Sequence, residues 1–344
     1  MTKVREFANT WDRDLPFTWT ERDSSDLIGS SEGGHLFIPC FRPFDFLAAP
    51  NQALPFFASV SSRLAVDAPR GIEPLFHRNV DFDTLYFQWA GETKYETEFG
   101  AFTAKPAELM LVPGGVAHSW TASADALRLI VHLRDPLEVL VNADNHIGET
   151  DYRVTWVGGP DWAVPPAPPA SETVVESLHT WVDKPGDKTL VKRHRAGLTG
   201  STGGRSVQKI RLFDIFTEVT GRKGPGPVSM RNDSFFVECY NTDGAQFAFH
   251  RGNGNDEFQF QFCGTADNIC EFGTDKMGPG DLVMVRRGIA HRVIGSRSFR
   301  RIVFYGREQW DLLIDPKKPL RRTRFEVAET VVNEAPWRKE LVPA

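Results

Sequence analysis

The fold of this chain is predicted by the stretch FHRGNGNDEFQFQFCG, residues 249–264, because it repeats an earlier stretch, FHRNVDFDTLYFQWAG, residues 76–91. The two stretches lie 173 positions apart and align without a gap. The same offset relates three later pairs of identical residues: Pro106 and Pro279, Gly115 and Gly288, His118 and His291. Self-similarity at a fixed offset predicts two copies of one structural unit.

The segments around the repeat predict strands. Short runs of alternating or continuous apolar residues at 109–112, 127–131 and 282–285 are separated by Gly, Pro and Asp, which is typical of an all-β sandwich or barrel. Few helices are expected. Apolar residues at helical spacing predict one over 171–181, and two shorter ones are predicted at 135–140 and 308–313.

The length of the chain fits two domains. Its 344 residues, 41% of them hydrophobic, can form two cores. The run Pro165-Pro166-Ala167-Pro168-Pro169 predicts a stiff linker at 161–170. We therefore expect an N-terminal domain over 1–160 and a C-terminal domain over 171–344, with the alternative that the second unit borrows strands from the first.

Charge and composition exclude several classes of partner. The net charge of −5 and a pI near 6.0 argue against a nucleic-acid ligand. No apolar run is long enough for a membrane span, and the polar N-terminus does not resemble a signal peptide. The four cysteines have no CxxC spacing, so a disulfide framework and a zinc cluster are poor interpretations. These features predict a cytoplasmic protein.

The second copy contains a candidate metal site formed by His250, Glu257 and His291. Glu257 begins an alternating strand. Its period of two places Glu257, Gln259, Gln261 and Cys263 on one face and three phenylalanines on the other. We expect the aromatic face to lie in a sheet-to-sheet core and the polar face to line a barrel interior.

Two imidazoles and one carboxylate with open positions match the arrangement of non-haem Fe(II) oxygenases. On this interpretation His250, Glu257 and His291 are the catalytic iron ligands. The alternative is that both histidines are ordinary buried side chains with Glu257 as their hydrogen-bond partner.

The first copy has a poorer ligand set, because Thr84 stands where the second copy has Glu257. Asp83 is one position out of phase and faces away on a regular strand. We expect this copy to be a structural partner without metal. His77, Asp83 and His118 form a reserve site in case a β-bulge turns the aspartate inward.

These residues resemble the motifs of the cupin family. His250, Glu257 and Gly264 match the first cupin motif, and Gly288 and His291 match the second. Gly252 stands in place of the second histidine of the first motif. The resemblance implies two jelly-roll barrels and a three-ligand metal site.

Two cupin copies, the string His77-Arg78-Asn79 and a three-ligand second copy resemble the ring-cleaving dioxygenases typified by homogentisate 1,2-dioxygenase and the large subunit of two-component hydroquinone dioxygenase. The resemblance implies an Fe(II) cofactor, a small para-dihydroxylated aromatic substrate and O₂. It also implies that Gln259, Gln261 and Cys263, on the inward face, contact substrate or oxygen, with the alternative that they only make the barrel interior polar. It also implies assembly with other copies of this chain or with a small cupin-like subunit. Two alternatives stay open: a metal-dependent isomerase, decarboxylase or lyase, and a non-catalytic binding protein.

Overall fold

A computed structural model describes residues 3–9, 18–23, 38–73, 75–97, 100–140, 146–147, 173–181, 189–194, 207–212, 228–240, 244–245, 249–252, 254–270, 273–296 and 299–315. The predicted linker at 161–170 lies outside these ranges. No helix within them has the length and apolar character needed to cross a bilayer.

The described residues form strands almost throughout, which confirms the predicted all-β class. The strands are, in chain order, β1 (Lys3–Asn9), β2 (Thr18–Asp23), β3 (Ile38–Phe41), β4 (Leu54–Ala58), β5 (Ser62–Asp67), β6 (Gly71–Ile72), β7 (Phe76–Asn79), β8 (Asp83–Ala90), β9 (Thr93–Thr97), β10 (Gly100–Ala104), β11 (Glu108–Val112), β12 (Ala117–Ala122), β13 (Leu127–Leu133), β14 (Glu138–Val139), β15 (His146–Ile147), β16 (Thr173–His179), β17 (Thr189–His194), β18 (Gln208–Arg211), β19 (Val228–Arg231), β20 (Phe235–Tyr240), β21 (Gly244–Ala245), β22 (Phe249–Gly252), β23 (Asp256–Cys263), β24 (Ala266–Cys270), β25 (Gly273–Met277), β26 (Leu282–Val285), β27 (His291–Gly295), β28 (Arg300–Gly306) and β29 (Asp311–Leu312). A short 3₁₀ helix spans Pro43–Phe46.

The chain divides into two compact units, which we call the N-terminal unit (44–214) and the C-terminal unit (1–43 with 215–344). Each unit contains two sheets whose strands correspond in order, except that the second sheet of the N-terminal unit has one additional strand, β15, at its end. In the N-terminal unit the orders are β10-β9-β12-β7-β16-β17 and β15-β18-β11-β8-β13-β5-β4; in the C-terminal unit they are β25-β24-β27-β22-β1-β2 and β3-β26-β23-β28-β20-β19. The predicted duplication therefore holds for all of these strands except β15.

The unit boundaries differ from the predicted linear division at 160 and 171, because each copy contributes its first strands to the other unit. β16 pairs in parallel with β7 of the N-terminal unit, and β1 pairs in parallel with β22 of the C-terminal unit. Glu176 lies opposite Phe76 just as Glu6 lies opposite Phe249. The exchange extends the duplication to these strands at an offset of 170.

The helix predicted over 171–181 is wrong, because 173–179 forms strand β16. This segment is rich in β-branched residues, which suit a strand, and it pairs with β7 on one side and β17 on the other. The predicted helices at 135–140 and 308–313 are wrong as well, because those segments contain the short strands β14 and β29. Tertiary pairing overrides a helical spacing of apolar residues.

Matched glycines place the same turns in both units. Gly115 and Gly288 precede the strands that contain the second-motif histidines and have φ of 87° and 81°. Gly91 and Gly264 follow the central strands with φ of 61° and 69°. Positive φ favours glycine because it has no Cβ. The turns that position His118 and His291 therefore have the same shape.

The two barrel interiors differ in chemistry. The interior of the N-terminal unit is filled by a cluster that includes Tyr86, Tyr95, Met110 and Trp120. In the C-terminal unit the corresponding face of β23 carries Glu257, Gln259 and Gln261, all buried. The predicted polar face thus lies between the two sheets. The aromatic face is on the other side of β23, where Phe258, Phe260 and Phe262 are buried and Phe258 packs edge-on against Trp310.

Candidate metal centre

The C-terminal unit brings His250, Glu257 and His291 together as predicted. His250 on β22 lies directly opposite His291 on β27, so both imidazoles leave the same face of one sheet. Glu257 faces them from β23 in the other sheet. Its Oε2 is 3.9 Å from His250 Nε2 and 3.2 Å from His291 Nε2. All three residues are buried, and one ligand atom from each lies within 4.8 Å of the others.

The chemistry of these donors fits a cation. His291 Nδ1 is 3.2 Å from the carbonyl oxygen of Ile289, which can only accept, so Nδ1 must donate. When the ring carries only this proton, Nε2 presents its lone pair to Glu257 Oε2 at 3.2 Å. Two electron pairs facing each other in a buried site are stabilised by a positive ion between them.

Glu257 is held in the ionised form that ligates metals. Burial is the largest influence and works to raise its pKa, but the two histidines and a hydrogen bond from Gln259 together outweigh burial. The pKa falls to about 2. The amide of Gln259 donates from Nε2 to Glu257 Oε1 at 2.6 Å, which leaves Oε2 directed at the histidines.

A fourth protein ligand is not expected at Gly252. A Cβ built there would lie 2.9 Å from Nδ2 of Asn255, whose buried side chain fills the adjacent space. The three-ligand set implied by the sequence is therefore consistent with local packing.

The three predicted neighbours of the ligands have different positions. Gln259 contacts Glu257 directly, whereas Gln261 accepts hydrogen bonds from Arg301 at 3.2 and 3.3 Å. Cys263 lies beyond a register shift between Gln261 and Cys263, and its carbonyl oxygen accepts from Gln261 Nε2. Because this irregularity breaks the alternation used to place Cys263 inward, and its side chain is only partly buried, we correct its predicted role beside the metal.

The reserve site of His77, Asp83 and His118 does not form. The carboxylate of Asp83 accepts from the backbone amides of Gly114 at 2.8 Å and Leu137 at 3.2 Å. Its counterpart at the same offset, Asp256, accepts from the amide of Arg287 at 2.9 Å. Asp83 and Asp256 are therefore a repeated pair that holds a loop, and no bulge turns Asp83 toward the histidines.

A tyrosine hydroxyl lies between the two histidines of the N-terminal unit. Tyr86 is the counterpart of Gln259, and its hydroxyl oxygen is 3.0 Å from His118 Nε2 and 3.4 Å from His77 Nε2. His118 Nδ1 is 3.0 Å from the carbonyl of Val116, repeating the arrangement of His291. The Tyr86 hydroxyl thus satisfies the ring nitrogens that face a carboxylate in the other unit. Sequence reasoning missed this residue.

The buried histidines of the N-terminal unit predict acid sensitivity. Burial lowers the pKa of His118 from 6.5 to about 4 and that of His132 to about 3. Between pH 6.5 and 4 the unfolded chain therefore binds protons that the folded chain does not. The free energy of unfolding is highest above pH 6.5. It decreases as the pH falls toward 4, by roughly 3 kcal/mol from His118.

The test is urea unfolding at several pH values between 7.5 and 5. Phe82 packs edge-on against His132 with ring centroids 5.1 Å apart, so His132→Phe replaces one titrating ring by an aromatic ring. We expect a shallower loss of stability in His132→Phe than in the unaltered chain. Equal pH dependence in the two proteins would contradict the neutral burial of His132.

Comparisons with known proteins find only distant similarity in structure. No family model matches the chain, and no curated protein matches it. A cupin 2 conserved barrel domain protein from Leptotrichia buccalis aligns at 7% identity and a TM-score of 0.44, covering 80% of this chain and 99% of its own. The protein YlbA from E. coli aligns at 10% identity and 0.41, covering 84% and 99%. Oxalate decarboxylase from Bacillus subtilis aligns at 13% identity and 0.40, covering 82% and 80%. At these values the similarities carry no weight for the activity.

Proposed function

We propose that the chain is a non-haem Fe(II) dioxygenase that opens the ring of a small para-dihydroxylated aromatic compound with O₂. The observation that supports this proposal is the buried arrangement of His250, Glu257 and His291, with His291 Nε2 facing Glu257 Oε2 at 3.2 Å. His250, His291 and Glu257 would hold a ferrous ion and leave positions for a phenolic oxygen and O₂, and the bound ion would supply a path for electrons from the ring to oxygen.

The surrounding residues prepare these three ligands. The carbonyl of Ile289 keeps the proton of His291 on Nδ1, so that Nε2 is available to a metal. Gln259 fixes the rotation of the Glu257 carboxylate. Tyr305, directly opposite Glu257 on β28, stacks on Phe236 with ring centroids 4.3 Å apart. This pair of stacked rings would offer an aromatic surface to a planar substrate.

Oxygen consumption is the direct test. The full chain is purified with Fe(II), its iron is measured by mass spectrometry, and O₂ uptake is followed with hydroquinone, homogentisate, gentisate and the ortho-diphenol catechol. We expect about one iron per chain and uptake with the para-dihydroxylated compounds. Light scattering on the same sample tests the proposed assembly with further copies of the chain. Repeating the measurement after a small cupin-like subunit is added tests the proposed assembly with that subunit.

Other outcomes point to other classes. Iron-loaded protein that is inert toward every phenol, alone and with the small subunit, would contradict the dioxygenase proposal. Turnover without oxygen uptake would favour the isomerase, decarboxylase or lyase alternative. Protein that binds no metal under these conditions would favour a binding protein.

A further inference from the structure

Arg301 is a buried cation in the interior that contains the candidate metal site. It lies on β28 with 2% of its surface exposed. Its guanidinium donates to the amide oxygens of Gln259 and Gln261 and to the sulfur of Met277. None of these acceptors is charged. Within the described residues, Arg301 forms no ion pair.

The duplication supplies an internal comparison, because Arg128 is the counterpart of Arg301. Arg128 lies directly opposite Asp67, and the two form a bidentate ion pair with Nε 2.9 Å from Oδ1. Arg301 lies in the same register opposite Tyr240. The second copy has therefore kept the arginine and replaced its carboxylate by a phenol.

Tyr240 does not compensate Arg301. Its hydroxyl donates to the carboxylate of Glu238 and lies 3.2 Å from the hydroxyl of Tyr305. Burial is the main influence on the pKa of Arg301 and lowers it to about 10, so the guanidinium stays charged at neutral pH. Glu257 attracts the guanidinium without forming an ion pair with it, so an anion bound in direct contact with Arg301 would recover part of the free-energy cost of burying this charge.

Arg301 is linked to the candidate metal ligands by one side chain. Gln259 donates from Nε2 to Glu257 and accepts from Arg301 through Oε1. Both residues face the same interior. A ligand that holds a phenolic oxygen near Glu257 can therefore direct a second group toward Arg301, where it would compete with the amide oxygens for the guanidinium.

We propose that Arg301 binds a carboxylate of the substrate, so that the substrate is a dihydroxylated aromatic acid and not an uncharged diphenol. This inference rests on the proposed function for the position of the phenolic end. The observation that supports this proposal is that Arg301 lacks a paired carboxylate in the copy that contains the candidate metal ligands. In the other copy, Arg128 has this partner in Asp67.

Substitutions at Tyr240 test this proposal without removing Arg301. Tyr240→Asp places a carboxylate opposite Arg301, as Asp67 stands opposite Arg128, whereas the matched control Tyr240→Phe removes only the hydroxyl. Binding of homogentisate and gentisate, each compared with its neutral carboxamide, is measured by calorimetry without oxygen on the Fe(II)-treated full chain. We expect the unaltered chain and Tyr240→Phe to bind the acids about tenfold or more tightly than the amides. In Tyr240→Asp this preference should disappear while the iron content is unchanged.

A second pair of variants addresses the arginine itself. Arg301→Lys should keep part of the preference for the acids and Arg301→Met should lose it, with thermal unfolding measured to show that each variant folds. Equal affinity for acids and amides in the unaltered chain would overturn the proposal, as would absence of carboxylate-dependent binding across the panel. Retention of the preference in folded Arg301→Met would do the same.

The test separates this inference from the proposed function. Preferential binding of the acids without oxygen uptake would contradict the dioxygenase activity and leave the role of Arg301 intact. Oxygen uptake with hydroquinone as fast as with the acids, and no preference in binding, would contradict the role of Arg301 and leave the dioxygenase activity intact.

Discussion

Glu257→Gln is expected to reduce the metal content of the purified chain from about one equivalent to under about a tenth of an equivalent. The substitution keeps the size of the side chain but removes the negative charge between two buried imidazoles. An amide oxygen is a weak ligand, and its NH₂ group would be directed at His250 or His291, or at Gln259, all of which lie close to Glu257. Metal analysis after dialysis and the shift in thermal midpoint on adding Fe(II) measure the loss.

The duplication provides the control for this prediction. Thr84 is the counterpart of Glu257 and accepts a hydrogen bond from Asn79 Nδ2 at 2.7 Å. Thr84→Ala should leave the metal content unchanged, and His77→Ala should do so as well because Tyr86 already occupies the space between His77 and His118. Metal retained by Glu257→Gln and lost by His77→Ala would place the site in the N-terminal unit.

Asp67→Asn is expected to destabilise the folded chain by about 3–5 kcal/mol, the usual cost of breaking a buried ion pair by removing one partner. Burial works to lower the pKa of Arg128, yet Asp67 and its aromatic neighbours raise it above its ordinary value. Without the carboxylate, the guanidinium still donates a hydrogen bond to the Tyr95 hydroxyl at 3.0 Å and still lies over the rings of Tyr86 and Trp120. Neutral and aromatic partners do not replace a full negative charge.

Urea unfolding measures this loss, and a double variant tests its origin. Asp67→Asn combined with Arg128→Met removes both charges, so it should recover a large part of the stability lost in Asp67→Asn. A loss below about 1 kcal/mol in Asp67→Asn would show that the pair contributes little, as exposed pairs do. The comparison also bears on Arg301, which the fold tolerates without such a partner.

The ligand residues could be identified from the sequence because their signal is local and repeated. The offset of 173 aligned His118 with His291 and contrasted Thr84 with Glu257. Strand alternation then placed Glu257, Gln259 and Gln261 on one buried face. The same method failed at Cys263, where a register shift interrupts the alternation, and at 171–181, where pairing with β7 and β17 makes a strand of an apparent helix.

Two further pairs of identical residues in the two copies also indicate roles at the site, although these roles were not predicted from the sequence. Asp83 and Asp256 are identical at the offset of 173, as are Arg128 and Arg301. The identity of Asp83 and Asp256 indicates a shared structural role and argues against Asp83 as a metal ligand. The difference between Asp67 in the first copy and Tyr240 at the equivalent position of the second can be interpreted only from the strand register. The register shows that these residues lie opposite Arg128 and Arg301.

The sequence by itself determined the duplication, the all-β class and the three candidate ligands, because strand periodicity and turn glycines act over a few residues. Only the tertiary structure decided which strands each unit exchanges, that the hydroxyl of Tyr86 stands between His77 and His118, and that Arg301 lacks the carboxylate that Arg128 has. These features depend on pairing between strands far apart in the chain, where burial makes the presence or absence of one charged partner energetically large.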